Sequence, residues 1–81
     1  MLCFLVDYKD EKGNDFYKPL QVATFDKELA MAFIHQEVAD WNCTLTGVRL
    51  FHGFHTHDEL YQLAETITLP PHELLYFNPY A

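Results

Sequence analysis

The chain has 81 residues and no serine, and it contains only two cysteines and three glycines. A serine-based catalytic triad is therefore excluded. The sequence has neither G-x-x-x-x-G-K-[ST] nor G-x-G-x-x-G, so we expect no glycine-rich phosphate-binding loop. Cys3 falls in an apolar segment where a thiol is inert, and nothing in the sequence places Cys43 beside a base. We predict that the protein is not an enzyme and that both cysteines are reduced thiols rather than a disulfide scaffold.

Basic residues are also scarce. Lys and Arg total five against twelve Asp and Glu, which gives a net charge of −7. Nucleic-acid phosphates and anionic membranes attract basic surfaces, so neither is an expected partner. Residues 50–81 have no Lys or Arg but include Asp58, Glu59, Glu65 and Glu73. We expect a surface built from this part of the chain to attract a basic partner.

Long hydrophobic runs are absent, since no apolar segment approaches the roughly 20 residues that span a bilayer. The opening run Leu2–Val6 is too short for a signal sequence and is followed at once by Asp7. We therefore predict a cytoplasmic protein. Hydrophobic residues make up 49% of the chain and aromatic residues 16%, which argues against intrinsic disorder and predicts one folded domain over residues 1–81.

Three segments have the patterns of strands. Residues 2–8 are almost continuously apolar, as in a strand that is buried on both faces. The polar stretch 9–15 predicts a hairpin loop, and a second strand follows over 16–23, where Pro19 indicates an edge position or a bend. Residues 48–54 alternate between apolar and polar and predict a third strand.

Two segments have the patterns of helices. Asp26 is a good N-cap for a helix over 27–41. Residues Thr56–Glu59 form a capping box, and the apolar series that follows predicts a second helix over 57–66.

The apolar tail 74–77 predicts a last strand, with a one-turn helix opening at Pro71 as the alternative. The element order is then β-β-α-β-α-(β). This order predicts an α+β fold in which two helices cover one face of a small, mainly antiparallel sheet of three to four strands.

The first predicted helix has one apolar arc, formed by Ala30, Met31, Ile34, Val38 and Trp41. Leu29 and Phe33 lie off this arc, beyond Glu37. Either the helix buries a broad face whose edge carries Glu37, or Leu29 and Phe33 form a second apolar ridge for a partner. We favour the broad buried face, because single exposed apolar residues are ordinary.

Three histidines, His52, His55 and His57, lie close together between the third strand and the second helix. Imidazole is a common ligand for zinc, copper and nickel, and a turn of the chain could bring three rings to one point. Their spacing matches no established zinc motif. Metal binding is therefore an alternative hypothesis, and we expect no cofactor.

Recognition of another protein is the leading hypothesis. Tyr76, Phe77 and Tyr80 form an aromatic group near the end of the chain, and aromatic residues are enriched at the centres of interfaces. Among the acidic residues, Asp58, Glu59 and Glu65 are the predicted contacts. We therefore predict a small, acidic, non-catalytic module that binds a larger protein or ribonucleoprotein through its basic surface.

In its size, acidity, lack of catalytic motifs and compact β-β-α-β order, the chain resembles the small phage-encoded proteins that inhibit bacterial defence systems, including anti-CRISPR proteins. The resemblance is one of overall character, and no motif or functional residue is transferred through it. It implies a steric inhibitor that occupies the site on a nuclease or surveillance complex where DNA or guide RNA would lie. The acidic residues are mixed with four lysines and Arg49, so we expect partial mimicry of nucleic acid at most.

A third hypothesis is a homo-oligomeric structural protein. In this case the apolar tail would pair with its own copy, either edge to edge or by exchange of the C-terminal segment, to form a homodimer.

Overall fold

The computed structural model of the chain describes residues 1–65 and 72–78. Within these residues the chain forms four strands and two helices in the order β-β-α-β-α-β, as predicted. The elements are β1 (Leu2–Lys9), β2 (Asp15–Val22), α1 (Lys27–Asp40), β3 (Thr44–Phe51), α2 (His57–Glu65) and β4 (His72–Phe77). The strands form one antiparallel sheet in the order β2-β1-β3-β4, which confirms the predicted α+β fold.

The third strand is longer at its start than predicted. It begins at Thr44 and ends at Phe51, rather than running over 48–54. Its first residues pair with β1 across a register shift at Thr46, which interrupts the alternation that identifies a strand in the sequence. After β3 the chain turns at Gly53, which has a φ of 84°, a conformation that favours glycine.

The central strand β1 is buried on both faces, as its continuous apolar run predicts. Phe4 and Val6 point to one side and Cys3 and Leu5 to the other, and all are inaccessible to solvent. On the first side they pack in a cluster with residues of α1, namely Ala30, Ile34 and Val38.

The second helix covers the opposite face of the sheet. Leu60 of α2 is fully buried against Cys3, Leu5 and Phe51. The expectation that both helices lie on one face is therefore wrong. A strand with a continuous apolar run such as Leu2–Val6 needs cover on both faces, because either face left bare would expose large apolar side chains.

Local signals in the sequence fix the helix starts and one sheet edge. The carboxylate of Asp26 accepts hydrogen bonds from the backbone N–H groups of Glu28 and Leu29, and the Thr56 hydroxyl accepts one from the N–H of Glu59. Pro19 lies in β2 at the edge of the sheet, as predicted. Both cysteines are free thiols, which is also confirmed.

The outer side of α1 differs from expectation. Leu29 is 62% exposed and Phe33 is also exposed, so the favoured interpretation of a broad buried face is wrong. The buried stripe of α1 is narrow: Ala30, Ile34 and Val38 are buried in the core, and Met31 packs against it partly buried. Among residues 1–65 and 72–78, neither helix has the length and apolar character needed to cross a membrane.

Candidate partner-binding surface

The outward side of α2 carries two of the predicted acidic contacts. Leu60 anchors the helix on the sheet, and this fixes which residues face away. Asp58 and Glu65 are seven residues apart, which is close to two helical turns, so they lie on the same exposed side. Tyr61 is exposed between them. The side of α2 away from the sheet therefore combines two carboxylates with an aromatic ring.

Tyr17 of the edge strand β2 extends this surface. Its ring centroid lies 6.0 Å from that of Tyr61, and its hydroxyl donates a hydrogen bond of 3.3 Å to Oε1 of Glu65. Partial desolvation and then the nearby Glu65 carboxylate raise the pKa of the Tyr17 hydroxyl. We call the set Tyr17, Asp58, Tyr61 and Glu65 the acidic–tyrosine surface.

Glu59 lies apart from this surface and has a local role. One carboxylate oxygen accepts a hydrogen bond of 3.3 Å from the Thr56 hydroxyl, and the other lies 3.5 Å from Nδ1 of His55. The Thr56 hydroxyl accepts from the Glu59 N–H, as in a capping box, but the Glu59 carboxylate returns to the hydroxyl of Thr56 rather than to its backbone N–H. Glu59 thus stabilises the beginning of the helix while its side chain stays exposed, and its contact with a partner stays a prediction.

The predicted aromatic group at the end of the chain is divided by the sheet. Tyr76 packs against the α1 side of the core, with its ring edge-on to His35 at 5.4 Å between centroids. Phe77 is the next residue of β4, so it points to the α2 side, where it is 66% exposed. Tyr76 and Phe77 therefore lie on opposite faces of the sheet, their contact with a partner stays a prediction, and Tyr80 lies outside the described residues.

The three clustered histidines are not brought to one point. Nε2 of His55 lies 2.9 Å from the backbone carbonyl oxygen of His52, and its other ring nitrogen faces Glu59. No group of three or more His, Cys, Asp or Glu side chains suited to a metal ion occurs within residues 1–65 and 72–78. The metal-binding alternative through His52, His55 and His57 thus has no geometric support.

A groove of about 650 Å³ occupies the part of the α2 face beyond the helix. Its floor is an ion pair between Arg49 of β3 and Asp7 of β1, with 3.3 Å from Nη2 to Oδ1. The exposed side chains of Leu74 and Phe77 line it on the β4 side, and Tyr17 lines it on the β2 side. The groove therefore borders the acidic–tyrosine surface through Tyr17.

The ion pair in the groove is half-buried and incompletely satisfied. The Arg49 side chain is 19% exposed, and its Nε has no hydrogen-bond partner among the residues that the structure describes. Burial raises the pKa of Asp7 more than the positive charge of Arg49 lowers it. Gly47 leaves room for the carboxylate, because a Cβ there would lie 3.1 Å from Oδ2 of Asp7.

Sequence reasoning missed Asp7, Arg49 and Tyr17 as members of a shared surface. Each belongs to a different strand, and their proximity depends on the strand register, which no local pattern specifies. The only signal in the sequence was a charged residue, Asp7 or Arg49, between apolar neighbours in two of the strands.

Comparisons of the chain with models of protein families, with curated proteins and with solved structures found no match.

Proposed function

We propose that the protein is a non-catalytic protein-binding module whose acidic–tyrosine surface contacts a basic site on a larger partner. The observation that carries this proposal is the exposure of Tyr17 and Tyr61 beside the carboxylates of Asp58 and Glu65. Tyrosine rings supply apolar contact area together with a polar tip, and this combination is typical of interface hot spots.

The surface is organised before any partner arrives. The hydrogen bond from Tyr17 to Glu65 and the packing of Tyr17 on Tyr61 restrict three side chains that would otherwise lose rotamer freedom on binding. A smaller loss of conformational entropy leaves more of the contact energy for affinity. The net charge of −7 would also accelerate encounter with a basic site.

The same features suit an inhibitor of a nucleic-acid-binding protein, as the resemblance to anti-CRISPR proteins implies. Asp58 and Glu65 place two negative charges along one side of α2, where they would engage Lys or Arg side chains that otherwise hold phosphates. Acidic residues elsewhere in the chain are mixed with lysines. The module would therefore cover a basic surface mainly by occupying it, with only partial mimicry of nucleic acid.

Affinity capture over a series of salt concentrations tests this function. The immobilised chain is exposed to a nuclease-treated host lysate, so that nucleic acid cannot bridge the proteins. We expect one basic protein or complex to bind at low salt, to elute as salt is raised, and to be displaced by duplex DNA or by its own guide RNA. Binding that is indifferent to salt and to nucleic acid would contradict the proposal.

A pair of aromatic variants locates the contact. Tyr61→Ala should weaken the captured complex by about 1 kcal/mol or more, as expected of an interface aromatic residue. Phe25→Ala is the matched control, because Phe25 is 84% exposed and precedes α1, outside the acidic–tyrosine surface. If Phe25→Ala weakened binding and Tyr61→Ala did not, the contact would lie near α1 instead.

A further inference from the structure

The two edges of the sheet differ in how they are protected against pairing. The edge strand β2 carries Asp15, Lys18 and Pro19, and charged residues and proline are the usual means by which edge strands avoid other strands. The edge strand β4 has the sequence HELLYF, without lysine, arginine or proline, and its protection is a bulge at Leu75, where the register with β3 shifts. Its carboxylate, Glu73, is neutralised by Lys27 at 2.7 Å. The β4 edge therefore carries no unpaired carboxylate in a strongly acidic protein.

The β4 edge also exposes apolar side chains. Leu74 is 56% exposed, and Phe77 stands beside it on the α2 side of the sheet. Among residues 1–65 and 72–78, residues 73–77 of β4 pair with β3 alone, so the outer backbone groups of residues 73–77 face away from the sheet. An edge strand with open backbone groups and apolar neighbours is a template for another strand.

We propose that β4 pairs antiparallel with β4 of a second copy, forming one continuous sheet across a two-fold axis. An antiparallel pair of identical strands satisfies this symmetry, since each copy offers the same open edge to the other. The pairing would place Leu74 and Phe77 of both copies side by side and remove them from water.

Charge favours a second copy at this edge. Two molecules with a net charge of −7 repel each other, and they approach most readily where each is locally neutral. The ion pair between Glu73 and Lys27 makes β4 such a place. A basic partner, in contrast, is drawn to the carboxylates of α2 and gains nothing from β4.

This inference goes beyond the proposed function. The proposed dimer should respond to salt in the opposite sense to the complex with a basic partner. Salt screens the repulsion between two acidic copies, so dimerisation should strengthen as salt rises. Binding of a basic partner should weaken under the same change. The two proposals can therefore fail independently.

Sedimentation velocity of the purified chain over a range of concentrations and two salt levels tests the dimer. We expect a reversible monomer–dimer equilibrium that shifts to dimer at higher salt. Leu74→Lys, which introduces the protection that Lys18 gives β2, should weaken dimerisation by ~10-fold or more. Leu29→Lys is the matched control, since Leu29 is similarly exposed on α1, and it should leave the equilibrium unchanged.

A monomer at every concentration, or a dimer lost in Leu29→Lys and retained in Leu74→Lys, would overturn the proposal. Amide hydrogen exchange of the unmodified chain gives a second measurement that does not depend on the variants folding. The amides of β4 that point away from β3 should exchange more slowly as the protein concentration rises. Exchange there that is independent of concentration while the protein dimerises would place the interface elsewhere.

Discussion

The two faces of the sheet are covered to different extents. On one face the 14 residues of α1 pack over a cluster that includes Phe4, Val6 and Val48. On the other face the nine described residues of α2 cover Cys3, Leu5 and Phe51, and a groove with a charged floor lies beside them. The α1 face holds most of the buried apolar core, whereas the α2 face combines a smaller core with the surface that we propose for binding.

The largest expected effect is a difference between the two cores. Ile34→Ala on the α1 face and Leu60→Ala on the α2 face both remove fully buried side chains, and each should cost about 2–5 kcal/mol of unfolding free energy. We expect Ile34→Ala to cost more, because its larger cluster leaves less freedom for the site to collapse. Chemical denaturation measures both. An equal or larger loss for Leu60→Ala would mean that the two faces contribute alike.

The next effect concerns the ion pair under the groove. Arg49→Met retains much of the side-chain stem but leaves the half-buried carboxylate of Asp7 without its cation, and should cost about 1–3 kcal/mol of unfolding free energy. Lys27→Met is the control, because the pair between Lys27 and Glu73 is exposed and should contribute less than about 1 kcal/mol. Similar losses in both variants would show that the half-buried ion pair between Asp7 and Arg49 contributes no more to the unfolding free energy than the exposed pair does.

A smaller effect is expected when the N-cap side chain of either helix is removed, and it should differ between the two helices. Asp26→Ala and Thr56→Ala each remove a side chain that accepts a backbone hydrogen bond, at a cost of about 1 kcal/mol. Because α2 packs on a smaller cluster, Thr56→Ala should release α2 locally before the sheet unfolds. Native-state amide exchange should then accelerate in α2 and remain slow in β1. Uniform acceleration across the chain would contradict this local opening.

The smallest effect is a pH dependence due to Asp7. Its pKa in the folded protein lies above the ordinary value of 3.8, so the folded state holds this proton more tightly than the unfolded chain does. The resulting stability is fully present below pH 3.8 and is lost as the pH rises through the folded-state pKa. Asp7→Asn stays neutral and lacks this dependence. The unfolding free energy of the parent minus that of Asp7→Asn should therefore fall with rising pH in this window. An increase would mean that the attraction of Arg49 outweighs burial.

The features that the sequence predicts correctly are those set by local chemistry. The caps at Asp26 and Thr56, the edge position of Pro19 and the burial of β1 follow from single residues or short runs. Both helices are predicted to lie on one face of the sheet, but α2 covers the opposite face. The apolar run of β1 explains the difference, because it needs cover on both faces. The order of strands and helices along the chain does not determine which face of the sheet each helix covers.

The site was less predictable than the fold, for the same physical reason. Glu65 belongs to the candidate surface through its hydrogen bond with Tyr17, a residue 48 positions earlier in the chain. Tyr76 and Phe77 are adjacent in sequence but point to opposite faces of the sheet, so their side chains do not lie together. Contacts between distant segments depend on register and helix placement, which one sequence pattern cannot fix.

The most direct test of the proposed function compares two charge-matched double variants in the same capture assay. Asp58→Asn with Glu65→Gln removes two negative charges from the acidic–tyrosine surface. Glu11→Gln with Glu28→Gln removes two from the hairpin loop and the first turn of α1, with the same change in net charge. We predict that the first variant loses the partner at physiological salt and that the second retains it. Equal binding by both variants would show that the overall charge of the protein, rather than this surface of α2, is what the partner recognises.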